Sequence, residues 1–179
     1  TNKLIAGCKS TIIPNSVKEI GENAFCECTG LTEITIPNSV TEIGWHAFYN
    51  CKNLKSITIP NSVKKIGERL FSGWENFNSH NCENLTEIKV AEDNPVYDSR
   101  EGCNAIIETA TNKLIAGCKS TIIPNSVTLI GADAFKGCKN LTTIAIPNSV
   151  TKIGNGAFEG CENLKSITIP NSVKKIGER

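Results

Sequence analysis

The chain repeats one pattern of apolar and polar positions, which is clearest over residues 31–53. Residues 31–36 alternate apolar with polar side chains, and this period of two predicts a short strand with Ile34 and Ile36 facing inward. Pro37 ends the strand because proline has no backbone donor for a ladder. The Pro-Asn-Ser sequence predicts a turn, with proline at its first central position and asparagine at the next.

The second half of the same unit completes one turn of a coil. Val40 and Ile43 point inward from a second short extended piece, and Gly44 frees the backbone for a corner. Ala47 and Phe48 supply the wide part of an apolar wedge, for which we expect a short helical or 3-10 turn. One coil cannot bury this wedge alone, so the pattern predicts that successive coils stack and bury it together.

The unit recurs along the chain, which indicates a solenoid. The peptide IPNSV occurs six times, and its copies are evenly spaced within each half of the chain. Short repeats at a fixed spacing are typical of solenoid proteins. A longer period is superimposed, because residues 1–69 and 111–179 are identical at 53 of 69 positions. We call residues 1–69 the first module, 111–179 the second module and 70–110 the joining segment.

These two periods predict a single solenoid over residues 1–179. It would contain about seven coils, each of about 23 residues, which is within the usual range of solenoid repeats. We expect regular coils over 1–84 with an eight-residue insertion near 74–81. We expect an irregular hairpin module over 85–117 and regular coils again over 118–179. Both ends of the sequence fall inside a module, so we expect a fragment of a longer array.

The repeat itself resembles a known family. The unit LTEITIPNSVTEIGWHAFYNCKN and its sister coils resemble the BspA-like leucine-rich repeats over essentially the whole chain. The resemblance implies an α/β leucine-rich-repeat solenoid that is mostly β, with a parallel sheet of first strands on the concave face and short second strands. It also implies a protein at the surface of a microbe, or secreted, that adheres to host or neighbouring-cell proteins.

Composition narrows the classes of partner. Lys+Arg number 19 and Asp+Glu number 18, which argues against a polyanion-binding protein whose affinity rests on net charge. No apolar run approaches the roughly 20 residues of a membrane span. We therefore expect no nucleic-acid partner and no membrane insertion. The lysine pairs at 64–65 and 174–175 are interpreted as solubilising charges rather than a phosphate site.

The nine cysteines follow the repeat more than any disulfide pattern. Five of them hold one fixed phase in their coils: Cys28, Cys51, Cys82, Cys138 and Cys161. We interpret them as a ladder of free structural thiols, because buried thiols behave as small apolar groups. The leucine-rich-repeat resemblance implies that each donates to a backbone carbonyl. Disulfides between successive coils are the alternative, and each would distort the stack.

Two further cysteine questions concern reactivity and metal binding. Cys26 departs from the repeat, so it is the predicted exposed and reactive thiol. The stretches Cys-Glu-Cys at 26–28 and His-Asn-Cys at 80–82 contain ligand side chains. Neither has the paired spacing of structural zinc, so no metal and no cofactor are expected.

The places that interrupt an array are where function is sought. Trp74 and Phe77 lie in the insertion, and Trp45, His46 and Tyr49 lie one coil earlier. Together they form a candidate partner-binding patch, because aromatic residues are enriched in interface hot spots. The alternative is that Trp74 and Phe77 fold back to cover the bulged coil.

The end of the joining segment and the start of the second module predict a β-hairpin that buds from the solenoid. Its extended runs lie near 104–108 and 113–116. Asp93, Asn94, Asp98 and Glu101 precede the hairpin. A calcium site is one interpretation of these side chains, but the spacing is not that of an EF-hand loop. The preferred alternative is that they cap turns.

The outward side of the first strands is the second candidate binding surface. Its residues in two adjacent coils are Glu33, Thr35, Ser56 and Thr58. Repeat proteins use such open sheets to bind proteins, and a solvated face is the alternative.

No catalytic motif is present, since the chain has two histidines and lacks a Ser-His-Asp order or a phosphate loop. We therefore expect a non-catalytic adhesin-type module whose partner is a host extracellular-matrix or cell-surface protein. A structural spacer without a ligand is the alternative. End-to-end self-association through uncapped repeats is a further expectation.

Overall fold

A computed structural model describes residues 2–73 and 81–178 of the chain. Trp74 and Phe77 therefore lie outside the described residues. Short strands dominate, and one 3-10 helix is found in the described part of the chain, at Arg100–Gly102. The strands are β1 (Lys3–Leu4), β2 (Glu19–Ile20), β3 (Glu42–Ile43), β4 (Ser56–Ile59), β5 (Lys65–Ile66), β6 (Glu87–Val90), β7 (Tyr97–Asp98), β8 (Ala105–Glu108), β9 (Lys113–Gly117), β10 (Leu129–Ile130), β11 (Lys152–Ile153) and β12 (Lys175–Ile176).

Each IPNSV peptide forms a turn of one kind, which differs by one position from the prediction. The Pro37 carbonyl accepts a hydrogen bond from the Val40 amide at 3.0 Å, and the same bond recurs in the other five copies. Proline is thus the first residue of the turn, and Asn38 and Ser39 are its central pair. This placement suits proline, because the bond uses its carbonyl and not the amide hydrogen that it lacks.

The second strands stack in register into parallel sheets. In the first module the order is β1-β2-β3-β5, and Ile20, Ile43 and Ile66 occupy equivalent inward positions. The amide of Gly44 bonds the Ile20 carbonyl of the preceding coil at 2.8 Å. A Cβ on Gly44 would lie 2.5 Å from the Glu22 nitrogen, so this corner requires glycine.

The first strands pair less extensively than predicted. Among the described residues only β4 and β6 form a parallel first-strand pair, in register over four residues. The equivalent segment at 31–36 is joined to the next coil by a bond from the Lys55 amide to the Thr32 carbonyl. Its Leu31 and Ile36 are nevertheless buried. Inward packing, with the glycine corners and turns, therefore holds the coils together on this side.

The wide part of each coil is a chain of tight turns rather than the predicted helical or 3-10 turn. Asn23 and Glu27 both have positive φ, and so do His46 and Asn50 in the next coil. Two left-handed residues four positions apart prevent a continuous right-handed helix. Alternate amides instead bond the next coil, as from Phe25 to the Ala47 carbonyl at 2.8 Å.

The hairpin of the joining segment is confirmed, but it does not bud from the solenoid. Strands β8 and β9 pair antiparallel, β7 flanks β8, and β9 pairs parallel with β10. The hairpin is therefore built into a six-stranded sheet that continues to β12. Its Ile106, Ile107 and Leu114 are fully buried, which explains why it lies within the stack.

The apolar interior divides into two clusters. One includes residues from Ile13 to Cys118 and the other residues from Cys103 to Ala157. Phenylalanines stack along each, with ring centroids 5.3 Å apart for Phe25 and Phe48. Both clusters draw residues from the hairpin, so the hairpin joins the interiors of the two modules.

Candidate functional site

The first-strand face is open and holds the predicted strand residues. Glu33, Thr35 and Thr58 are exposed and Ser56 is half-buried. A shallow concavity of about 580 Å³ is lined by Glu33, Thr35 and Ser56 together with Ile12 of the preceding coil. The concavity is open to solvent, and both polar and apolar side chains line it.

An exposed isoleucine marks this face in each module. The side chains of Ile12 and Ile122 are 88% and 73% exposed, and among the described large apolar residues only Ile5 has a comparable exposure. Ile122 lines a second concavity of about 400 Å³ with Thr143 and Ala145. Sequence reasoning missed both isoleucines, although they stand at the outward position that Thr35 occupies. The sequence did contain a signal for them. Ile12 and Ile122 directly precede the inward Ile13 and Ile123, and two successive isoleucines break the alternation of apolar and polar residues.

The aromatic patch is only partly formed. Trp45 is 44% exposed and lies over Gly67 of the next coil, where a Cβ would come within 2.3 Å of its ring. Tyr49 is half-buried and packs over Gly73. The prediction that His46 is part of the surface is wrong, because it is 1% exposed and its Nδ1 lies 2.5 Å from the Ser72 carbonyl oxygen.

His46 is buried by its contacts with the next coil rather than by its backbone conformation. It has a φ of 53°, but the equivalent Asn23 has a φ of 57° and is exposed. The His46 ring meets the Tyr49 ring edge-on at 6.4 Å between centroids. The patch accessible to a partner in the described part of the chain therefore consists of Trp45 and part of Tyr49.

The five phased cysteines lie one above another along the stack, and each thiol lies near a carbonyl oxygen of the coil before it. Cys51 donates to Phe25 at 3.0 Å and Cys82 to Phe48 at 3.1 Å. The other three thiol donors and their acceptors are Cys28 to Gly7, Cys138 to Gly117 and Cys161 to Phe135. Burial raises the pKa of the Cys28 thiol to about 11 and that of Cys161 to about 12. The Cys28 and Cys161 thiols are thus protonated donors at neutral pH.

Cys26 is less exposed than predicted, and the exposed thiol with a lowered pKa is Cys8. Cys26 is half-buried, and burial together with the nearby Glu27 raises its pKa. Cys8 is exposed, and hydrogen bonds from the Thr11 and Ser10 side chains lower its pKa to about 7. Because the thiolate is the nucleophile, Cys8 rather than Cys26 has the properties of a reactive cysteine.

The polar side chains before the hairpin are used to hold the backbone. The Asn94 amide donates to the Pro60 and Val63 carbonyls, and its oxygen accepts from the Val96 and Tyr97 amides. Asp98 binds the Arg100 guanidinium, with 2.8 Å between Nε and Oδ1. Asn94 and Asp98 are thereby occupied as turn and strand supports. No group of three or more metal-binding side chains occurs in residues 2–73 and 81–178.

The stacked coils, the short parallel strands and the thiol ladder define a leucine-rich-repeat solenoid. The family described as the BspA type Leucine rich repeat region matches residues 5–92 and 107–179, in six copies. The chain belongs to this family.

Solved structures share the fold. The pneumococcal vaccine antigen PcpA is 26% identical with a TM-score of 0.64, and the match covers 92% of this chain and 45% of that one. A leucine-rich repeat protein from Bacteroides ovatus is 30% identical with a TM-score of 0.52, over 92% of this chain and 37% of that one.

A leucine rich cell surface protein from Faecalibacterium prausnitzii is 24% identical with a TM-score of 0.59, over 93% of this chain and 58% of that one. The chain thus spans about half the length of the solved relatives. No curated protein matches it. In the described residues, no helix has the length and apolar character that a membrane crossing requires.

Proposed function

We propose that the chain is a non-catalytic part of a cell-surface or secreted protein, which binds another protein through its first-strand face. The partner class is an extracellular-matrix protein or a protein of a neighbouring cell. The observation that carries the proposal is the exposed isoleucine in a shallow concavity of each module, Ile12 and Ile122. An exposed isoleucine surrounded by threonine and serine is an apolar centre with a polar rim, as protein interfaces have.

Repetition adds to this support. Ile12 and Ile122 occupy equivalent positions of the two modules, although Glu33 and Thr35 of the first concavity correspond to Thr143 and Ala145 of the second. A partner with repeated segments engages both at once, and the second contact then forms at high effective concentration. Glu33, Thr35 and Ser56 supply the polar rim of the first concavity in this proposal, and Thr58 is a further proposed contact on the same strand face.

The aromatic residues extend the proposal to the side of the stack formed by the wide parts of the coils. Trp45 offers an exposed ring held against Gly67, and Tyr49 is its partly buried neighbour. Rigid aromatic rings contribute contact area at low entropic cost. Trp74 and Phe77 remain proposed contributors on the basis of the sequence alone.

Binding to purified matrix proteins tests the proposal. The wild-type chain and the Ile12→Glu/Ile122→Glu variant are compared on immobilised fibronectin, laminin and collagen. We expect the double variant to lose at least about tenfold in affinity for any protein that the wild type retains, because both apolar centres are lost. Ile5→Glu is the matched control, since Ile5 is 77% exposed and lines neither concavity.

The outcomes separate the candidate functions. Unchanged binding by Ile12→Glu/Ile122→Glu contradicts the first-strand face as the site. Retention of none of the three proteins favours the alternative, a structural spacer that has no ligand of its own.

Self-association of the chain is a separate proposal. Ile5 near one end of the stack and Ile176 in the last coil are 77% and 58% exposed. Stacking of one chain on another would cover them, as neighbouring coils do elsewhere. Sedimentation velocity at rising concentration detects such an assembly, and a monomer at all concentrations contradicts it.

A further inference from the structure

The nearly balanced total charge conceals a strong segregation of charge. The joining segment has two basic and eight acidic residues, a net charge of −6. The first module has eight basic and six acidic residues, a net charge of +2. The second module has nine basic and four acidic residues, a net charge of +5. The two modules are closely related in sequence, so the positions that create this difference can be compared one by one.

In the first module, ion pairs neutralise the outer face of the second strands. The register places Lys3, Glu19, Glu42 and Lys65 side by side as the outward residues of β1, β2, β3 and β5. The Lys3 Nζ lies 2.5 Å from Glu19 Oε1, and the Lys65 Nζ lies 2.5 Å from Glu42 Oε1. Lysine and glutamate therefore compensate each other along this row.

In the second module, the same row has no carboxylate on β9, β10, β11 or β12, although Glu108 of β8 lies opposite Lys113 in the register. The register places Lys113, Leu129, Lys152 and Lys175 side by side on β9, β10, β11 and β12. Leu129 replaces the first module's Glu19, and Lys152 replaces Glu42. Lys152 and Lys175 are directly paired and both are exposed. Like charges at paired positions of neighbouring strands are unfavourable.

Other lysines of the second module have acidic partners nearby. On the turn side of the stack, the Lys136 Nζ lies 3.2 Å from Glu159 and the Lys139 Nζ lies 2.9 Å from Glu162. Within the described parts of the chain, no salt bridge involves Lys113, Lys152 or Lys175. Lys119 and Lys165 also make no salt bridge in the described residues, but Lys113, Lys152 and Lys175 share one sheet face, where their positive charges lie close together. We call Lys113, Lys152 and Lys175 the lysine row.

We propose that the lysine row binds a linear sulfated polysaccharide. Neighbouring strands are about 4.8 Å apart, so three steps from β9 to β12 extend the row by about 14 Å along the stack. An extended chain with closely spaced anionic groups can place successive charges on successive strands. The negative groups would supply the compensation that Glu19 and Glu42 supply in the first module.

The chemistry of the face favours a polysaccharide over other polyanions. Single-stranded nucleic acid is held by aromatic side chains that stack on its bases, and the row contains none. Its only apolar neighbour in the register is the half-buried Leu129, which offers contact to a sugar ring but no deep insertion into a lipid surface. Lysine row binding would be additional to the protein binding proposed for the opposite first-strand segments.

The decisive experiment exchanges the row between the modules. Binding of the full chain to heparin is measured at low salt for the wild type and for Leu129→Glu/Lys152→Glu. This variant rebuilds the Lys-Glu-Glu-Lys row of the first module. The equivalent sheet of the first module already accommodates that row. We expect affinity to fall at least about tenfold and the dependence of log affinity on log salt to become shallower, because fewer counterions are released.

The reverse exchange provides the matched gain of function. Glu19→Leu/Glu42→Lys removes both carboxylates from the first module and leaves the second module intact. We expect this variant to bind heparin more tightly than the wild type and with a steeper salt dependence. Circular dichroism of each variant checks that the solenoid is retained.

Each possible result bears on the proposal. Equal heparin binding by the wild type and Leu129→Glu/Lys152→Glu, with the fold retained, overturns it. Equal binding of desulfated heparin overturns sulfate recognition. Tighter binding of oligo-dT than of heparin identifies a nucleic acid as the occupant and also overturns it.

Discussion

The opening stretches of the two modules, 1–17 and 111–127, have the same sequence but different chemical surroundings. Cys8 is exposed, with a pKa lowered to about 7, whereas Cys118 is 2% exposed and burial raises its pKa. The Thr11 hydroxyl donates to the Cys8 sulfur at 3.5 Å, while the Thr121 hydroxyl donates to the Asn104 carbonyl at 2.6 Å. The difference follows from the strands beside them.

The neighbouring strand accounts for this contrast. In the described residues, β1 pairs with β2 alone, whereas β9 pairs with β10 on one side and with β8 on the other. Asn104 directly precedes strand β8, and its carbonyl also accepts a hydrogen bond from the Cys118 thiol at 3.5 Å. Identical local sequences therefore contain an exposed thiol with a lowered pKa in one module and a buried thiol with a raised pKa in the other.

The largest expected difference between the modules is in the loss of stability when a core phenylalanine is replaced. Phe48 is fully buried between Phe25 and Phe71, whereas its equivalent Phe158 is half-buried beside Phe135. We expect Phe48→Ala to destabilise the chain by about 3–5 kcal/mol and Phe158→Ala by clearly less. Urea unfolding measures both, and equal losses would contradict the difference in packing.

Hydrogen bonds of the Asn94 side chain connect the first module to the joining segment. The side chain makes four hydrogen bonds while 7% exposed. Asn94→Ala leaves buried backbone groups without partners, so we expect a loss of about 2–4 kcal/mol in the free energy of unfolding. The control is Asn148→Ala at an exposed turn position, where a change within about 0.5 kcal/mol is expected.

The two equivalent cysteines should differ in their rates of modification. At pH 7 we expect the folded chain to react with a disulfide reagent at Cys8 at least about tenfold faster than at Cys118. Because the pKa of Cys8 is lowered, its rate should rise with pH and reach half of its plateau near pH 7. Mass spectrometry assigns the modified residue. Cys8→Ser should remove the fast phase, and a fast phase that persists would identify another thiol.

The smallest effect concerns the charges of the second strands. Lys152→Glu removes a paired lysine, and Glu42→Lys removes a carboxylate that lies 2.5 Å from Lys65. Surface ion pairs contribute little, so we expect the first change to raise the melting temperature and the second to lower it, each by less than about 2 °C. Differential scanning fluorimetry at low salt and at high salt checks this, since high salt should abolish both shifts.

Much of the fold was predictable because each coil repeats the same local sequence pattern. The short period, the inward isoleucines and the glycine corners predict stacking, and the hairpin runs in the joining segment were also predictable. The form of the wide turn was not, because the left-handed conformations of Asn23 and Glu27 are required by bonds to the next coil. The candidate surfaces were predicted in part, with Ile12 and Ile122 missed and His46 misplaced.

The sequence by itself determined the inside and the outside of every coil, since alternation and turn residues act over a few neighbours. Tertiary structure alone decided which coil or strand covers each position. Burial of His46, the hairpin within the stack and the different environments of Cys8 and Cys118 depend on that choice. The physical reason is that burial and local charge are set by residues distant in sequence, which a local pattern does not specify.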